Sequence, residues 1–456
     1  MKHLLAAILF VLAAFVFSSC NQPPPANSMS NRNPAARVKE LAEFINTIKA
    51  VDNHAHPNTI DPEDKGSDAL PLDGLGNIEL PVRVRPQSPV WLDAARKVYG
   101  YSDSEWHAKI RKALADSALR KMKEKGEQFP NWALDRAGIE VMLGNRISMG
   151  AGLSSPRFRW VSYVDAFLFP LSNQAEAAVT PDREKLFPLE DQLFKKYLAD
   201  LHLSTLPASL DEYLSKVVTA TLENQKKGGC VAVKFEAAYL RSLDFEKSSL
   251  SDARQVYTHY IHGGEPPHGK YKLLQDFIFF HIAKEAGRLG MAVHIHSFPG
   301  AGNYFVAAGC DPLLLEPAFN DSSLRNTRFV LIHGGGTFFR HTSAMLWKPN
   351  VYADISLLTQ VWTPDQLASV LRDWLSQFPE KVLFGTDAVG FGEGLGWEMS
   401  ASVASVTARE ALTIALSGMI EDHEINLVRA EEIALMVMRV NASKLYQLGY
   451  WESSAP

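Results

Sequence analysis

Short apolar runs alternate with helical stretches along most of this 456-residue chain, and that alternation limits the folds open to it. The clearest runs are residues 230–233, 291–293, 329–332, 351–353 and 382–384. They are apolar throughout, as expected of parallel strands covered on both faces. Residues 48–51, 139–143 and 160–169 are weaker runs that bring the set to eight. Helical signals lie between them. Thr363 can cap a helix, Pro364 suits its first position and Gln366 completes a capping box. Leu367, Val370, Leu371, Trp374, Leu375 and Phe378 then follow at the spacing of one buried helical stripe, and Pro379 stops it. A second helix is expected from about Lys272 to Arg288, closing at Gly290 before the run at Met291. Eight strands alternating with helices predict an α/β fold, a (β/α)8 TIM-like barrel. A doubly wound sheet is the alternative, but no Gly-rich phosphate loop follows an early strand. The barrel would occupy residues 37–456. Residues 57–130 read as an insertion after the first strand, rich in Pro and Gly and then helical from about Ser104 to Lys125.

The N-terminus is of another kind. Lys2 precedes an apolar run over residues 4–17, which ends in Ser18-Ser19-Cys20. This predicts a signal peptide over residues 1–20. Small residues directly before Cys20 resemble a bacterial lipobox, so Cys20 is the expected lipidation site. Residues 21–36 then read as a flexible tether. The expected location is the periplasmic or cell-surface side of a bacterial membrane, reached through the lipid anchor only. No later stretch reads as apolar for long enough to cross a bilayer. Acidic residues outnumber basic ones and the net charge is −5, which argues against a nucleic-acid partner. Three cysteines are too few for a disulfide framework.

The chemistry is concentrated where the strands end. Val51 is followed by Asp52-Asn53-His54-Ala55-His56, Val233 by Lys234, Val293 by His294-Ile295-His296, Ile332 by His333, and Phe384 by Gly385-Thr386-Asp387. In a parallel barrel these ends share one rim, the rim on which active sites are built. Alternate residues of a strand point the same way, so His54 and His56 can both face the mouth. Imidazoles and a carboxylate meeting there suit a divalent, zinc-type metal. Each element alone has an ordinary structural explanation, but five strand ends in this order do not. Of the two histidines in the fifth run, His296 lies nearer the rim and His294 reads as a buried second layer. His259, His262 and His268 read as solvated, Gly334 to Gly336 as a tight loop, and Cys230 as a small core residue.

This arrangement resembles the amidohydrolase superfamily of metal-dependent hydrolases. Within it, Asp52-Asn53-His54-Ala55-His56-Pro57, Ala237-Ala238-Tyr239 after Lys234, Asp311-Pro312-Leu313-Leu314-Leu315, Leu331-Ile332-His333-Gly334 and Gly385-Thr386-Asp387-Ala388 are similar to the branch akin to the hydrolase-like domain fused to some glutamine synthetases. The resemblance implies that His54, His56, Lys234, His296, His333 and Asp387 hold one or two divalent ions. Zinc is foremost, with manganese or iron as alternatives. It implies that Lys234 can be carboxylated and bridge two ions, and that Tyr239 and Arg241 bind substrate, although Leu240 separates a pair that is adjacent in the family. The implied activity is hydrolysis of an amide, ester or lactone of a small molecule. Asp387 would be the proton shuttle, and His333 would polarise the carbonyl or bind a second ion. Non-hydrolytic decarboxylation on the same barrel is the alternative. Oligomeric state is open.

Overall fold

The computed structural model describes residues 34–71, 75, 78–102, 106–300 and 302–449. The signal-like segment, Cys20 and the tether up to residue 33 lie outside the described residues. Residues 34–36, expected in the tether, instead open the helix Pro34–Thr47.

Eight strands form one parallel sheet in sequence order: β1 (Ala50–Ala55), β2 (Ile139–Asn145), β3 (Phe158–Tyr163), β4 (Cys230–Phe235), β5 (Ala292–His296), β6 (Phe329–Ile332), β7 (Val351–Asp354) and β8 (Val382–Leu383). The sheet closes on itself through backbone bonds. Asn53 N donates to Phe384 O at 2.9 Å, Asp387 N to His54 O at 2.7 Å, and His56 N to Ala388 O at 2.9 Å. The fold is therefore the expected (β/α)8 barrel, and each expected strand is present. Several boundaries differ by a few residues, two of them most. The run at 160–169 leaves the sheet after Tyr163, where Asp165–Leu168 forms a tight helical turn. β1 begins later and runs through His54, so the first motif lies partly within a strand.

The barrel interior is filled by Val51, Val141, Leu143, Val161, Ala232, Ala292, Val330, Ile332 and Leu383, closed by Ala442, Leu445 and Tyr446 from the C-terminal helix. A much larger apolar layer lies between the sheet and the helices. The helix Pro364–Leu375 shows how the sequence builds that layer. Thr363 and Gln366 form the expected capping box, and Leu367, Val370, Leu371, Trp374 and Leu375 are buried. Each large apolar side chain buried this way contributes about 1.5–3 kcal/mol. Contrary to the sequence reading, the helix Trp397–Glu421 is long and apolar enough to cross a membrane by length and composition. It packs against Pro34–Thr47, Val90–Tyr99 and Pro364–Leu375 and is mostly buried, so it is apolar because it is a wall helix with neighbours on several sides.

The segment between β1 and β2 carries the helices Val90–Tyr99 and Ala108–Lys125. Trp91, Ala95, Val98, Ile110 and Leu114 make a satellite core with Leu395, Met399 and Val403. Phe129–Ala137 returns the chain to β2.

Candidate metal centre at the barrel mouth

Three local distortions aim the rim side chains. In β1, Asp52 pairs with Met142 and Ala55 with Gly144, so three steps along β1 oppose two along β2. This bulge breaks the strict alternation from Val51, which points into the barrel, and allows both Asn53 and His54 to turn inward. After β6 the chain turns at His333 with φ 65°, and after β8 at Asp387 with φ 56°. Left-handed backbone in residues other than glycine is uncommon and concentrates at functional sites. The turn after β6 continues through Gly334 to Gly336, all with positive φ.

The result is a tight constellation. Ligand atoms of His54, His333 and Asp387 lie within 4.8 Å of one another. Asp387 Oδ1 is 3.1 Å from His54 Nε2 and 3.5 Å from His56 Nε2. The His54 ring centroid is 5.1 Å from those of His56 and His333. His54 is buried, and its Nδ1 has no hydrogen-bond partner among the described residues.

The electrostatics suit a cation. Burial, with the Lys234 charge next, holds His54 well below the usual imidazole range. Burial does the same to His333, with His54 and Lys234 adding to the effect. Both rings are therefore neutral donors, the state a metal ligand requires. Burial alone would raise Asp387, but His333, His54 and His56 more than offset it and keep the carboxylate ionised. Burial also opposes charging of His56, yet Asp68 and Asp387 outweigh it and push the imidazole up to about 10. His56 must lose that proton to join a metal. An inward cluster of neutral imidazoles with an ionised carboxylate fits a divalent ion.

Two of the other expected residues are placed differently. His296 lies against the cluster, its ring centroid 4.7 Å from that of His333, but both nitrogens are engaged. Nε2 faces Phe298 O at 2.9 Å and Nδ1 faces the Tyr239 hydroxyl at 3.3 Å. His296 therefore stands beside the three converging residues, and Tyr239 reaches the site through it. Arg241 is held by neighbouring side chains. Its guanidinium is paired with Asp276 at 2.8 Å, donates to Gln275 Oε1 at 2.9 Å, and lies 4.2 Å over the Phe245 ring. With those partners it is buried in the barrel wall. Lys234 is buried at the rim, with Nζ 3.4 Å from His54 Nε2 and 3.8 Å from Glu236 Oε1.

His294 is the buried second-layer residue expected. Its Nε2 lies 2.7 Å from the Tyr446 hydroxyl, which donates to Asn53 Oδ1. Asn53 Nδ2 donates to Asp354 Oδ2 at 2.7 Å, and Asp354 Oδ1 accepts from Ser356 Oγ at 2.7 Å and from His333 N at 2.8 Å. Ser356 Oγ stands 2.9 Å from His333 Nδ1. Since its own proton goes to Asp354, Ser356 accepts from His333 Nδ1–H and leaves Nε2 as the lone-pair nitrogen. Sequence reasoning missed Asp354 and Ser356, although Asp354 ends the seventh strand, Ser356 follows two residues later, and the strand-end rule would have found them. It also missed Asp68 and Tyr163, which flank His56; Asp68 carries no local signal. Among the remaining histidines, His259, His262 and His268 are exposed; His262 lies in the turn between two helices, whereas His259 is in the first helix and His268 opens the second. Cys230 and Cys310 are buried free thiols.

Residues 252–446 match the amidohydrolase family, the part of the chain that carries His296, His333 and Asp387. That stretch, in the second half of the chain, is similar to the amidohydrolase family. Among solved structures it is similar to a Lactobacillus casei protein assigned as a metal-dependent hydrolase, with TM-score 0.58, 16% identity, and coverage of 90% of this chain and 98% of that one. It is similar to glucuronate isomerase from Caulobacter crescentus, with TM-score 0.62, 14% identity, and coverage of 95% and 96%. It is also similar to uronate isomerase from Thermotoga maritima, with TM-score 0.56, 14% identity, and coverage of 90% and 97%. At these identities the likeness is one of fold. No curated protein matches the chain in sequence.

Proposed function

We propose that this protein is a metal-dependent hydrolase of a small-molecule amide, ester or lactone. The observation that carries the reading is the meeting of His54, His333 and Asp387 within 4.8 Å at the mouth of the barrel. These residues, with His56 beside them, would hold a divalent ion, zinc foremost. Such an ion supplies a water whose pKa falls to about 7. Asp387 Oδ1 would accept the proton that the attacking nucleophile gives up and return it to the leaving group. Its carboxylate lies between His54 and His56, which hold it in place through the exchange. Tyr239 and the His296 ring form one side of the site. Lys234, with Nζ 3.4 Å from His54 Nε2, is placed to join the same group, and its carboxylation would let it bridge a second ion.

The experiment is a screen of amide, ester and lactone libraries in oxygen-18 water, read by product mass. Hydrolysis adds the elements of water and leaves solvent oxygen in a carboxylate product. Loss of carbon dioxide would replace the reading with decarboxylation, and an unchanged mass would replace it with isomerisation. We further propose export and lipid anchoring at Cys20, a reading that rests on residues 1–36 alone.

A further inference from the structure

The start of the insertion, residues 57–68, is locked against the end of β2. Arg146 is buried, and its guanidinium donates to both oxygens of Asp64, at 2.8 and 2.6 Å, to Pro57 O at 2.7 Å and to Ser148 O at 3.0 Å. Thr59 Oγ1 adds a bond to Asp64 Oδ2 at 2.8 Å. The lock sets the path of the next turn, which brings Asp68 over the site. Asp68 Oδ2 lies 3.3 Å from His56 Nδ1. Tyr163, the last residue of β3, donates its hydroxyl proton to Asp68 Oδ1 at 2.8 Å and stands 3.2 Å from the same His56 nitrogen. The other ring nitrogen, Nε2, faces Asp387.

The protons can be assigned from these contacts. The carboxylate can only accept. The Tyr163 hydroxyl, having donated to Asp68, can only accept from His56. His56 therefore carries a hydrogen on Nδ1, and a neutral ring in this setting has its lone pair on Nε2, directed at the rim. We propose that Asp68 is the positioning residue for His56, an anionic partner supplied by the insertion that sets the ring's tautomer and orientation and strengthens Nε2 as a metal donor. The proposal rests on the metal-centre reading above. A carboxylate on the far nitrogen of a ligating histidine fixes the ring and raises its basicity, and its loss commonly weakens metal affinity about 10–100-fold. On this view the insertion does more than cover the barrel wall: its first turn completes the metal site.

The alternative is that Asp68 only tethers the loop. Asp68→Asn separates the two, because the amide keeps the size and can still accept from Tyr163 but loses the negative charge. Zinc affinity is measured on the wild type, Asp68→Asn and Tyr163→Phe by competition with a chromophoric chelator. The visible spectrum of the cobalt-loaded proteins and the thermal midpoint of the metal-free proteins are recorded alongside. Asp68→Asn should bind zinc about 10–100-fold more weakly, with a shifted cobalt band and a metal-free midpoint close to wild type. Tyr163→Phe should show a smaller loss in the same direction. Zinc affinity of Asp68→Asn within about threefold of wild type, a margin well inside the range expected for such partners, would overturn the assignment. If Asp68→Asn does not fold, Tyr163→Phe decides: weaker zinc binding supports the proposal and unchanged binding overturns it. A wild type that binds neither zinc nor cobalt overturns the metal reading and this inference together, whereas a metal-binding wild type matched by Asp68→Asn overturns the inference alone.

Discussion

Gly334→Ala tests whether the turn that presents His333 is as confined as its geometry indicates. Gly334 has φ 54° and ψ 29°, a left-handed conformation directly after His333. An added Cβ would lie 2.3 Å from Trp374 Cη2 and 2.9 Å from Asp354 O. Neither neighbour can yield easily. Trp374 is 0% exposed and its indole N–H donates to Phe339 O at 3.1 Å, while Asp354 O is β7 backbone. The left-handed conformation costs an alanine about 1–2 kcal/mol. Overpacking a well-filled site adds about 1–3 kcal/mol. The total is roughly 2–5 kcal/mol. Gly290→Ala is the control, since Gly290 has φ 66° with nothing within 4 Å of an added Cβ. It should cost only the conformational part, about 1–2 kcal/mol. With an unfolding entropy of about 2 cal/mol/K per residue, 1 kcal/mol moves the midpoint of a chain this long by about 1 °C. Differential scanning calorimetry of the metal-free proteins should therefore show Gly334→Ala melting about 2–5 °C below wild type and Gly290→Ala about 1–2 °C below. Zinc affinity should fall in Gly334→Ala only, because the strain sits next to His333. Equal midpoints for the two variants would refute the claim that Trp374 and β7 enforce the turn.

The other predictions concern the site and the N-terminus. Purified protein should carry at least about 0.5 equivalents of a divalent transition metal, as near-stoichiometric occupancy requires. His54→Ala with His56→Ala should remove it, and wild-type metal content in that double variant would disprove the ligand assignment. Asp387→Asn should keep the fold yet lose about 10²–10⁴-fold in turnover once a substrate is known, since the amide cannot accept the proton; wild-type turnover would rule out the shuttle. Ser356→Ala should lower zinc affinity about 10-fold or more by releasing His333 Nδ1, and unchanged affinity would show that the Asp354–Ser356 pair does not orient His333. Intact mass spectrometry of membrane-fractionated protein should find an acylated Cys20 as the mature terminus, and an unmodified terminus elsewhere would exclude lipidation.

What could be read from the sequence was whatever short-range pattern encodes. Eight apolar runs separated by helical stripes specified the barrel, because a strand covered on both faces is apolar along its whole length and a helix on a sheet is apolar on one side. The capping box at Thr363 was equally local. Residues ending those runs, His54, His56, Lys234, His333 and Asp387, were legible because a parallel barrel gathers its strand ends on one rim. The geometry within the rim was not. The β1 bulge and the left-handed turns at His333 and Asp387 depart from strict alternation, and they exist because neighbouring strands and Trp374 impose them. His296 sits beside the cluster because Tyr239 and Phe298 O compete for its nitrogens, and Arg241 leaves the mouth because Asp276 and Phe245 hold it in the wall. The Asp68 contact with His56 depends on Arg146 binding Asp64 across the end of β2 and on Tyr163 arriving from β3. Residues that belong to no common local pattern become partners only when the barrel closes, so the sequence alone determined the scaffold and its rim, and tertiary packing decided which rim atoms converge.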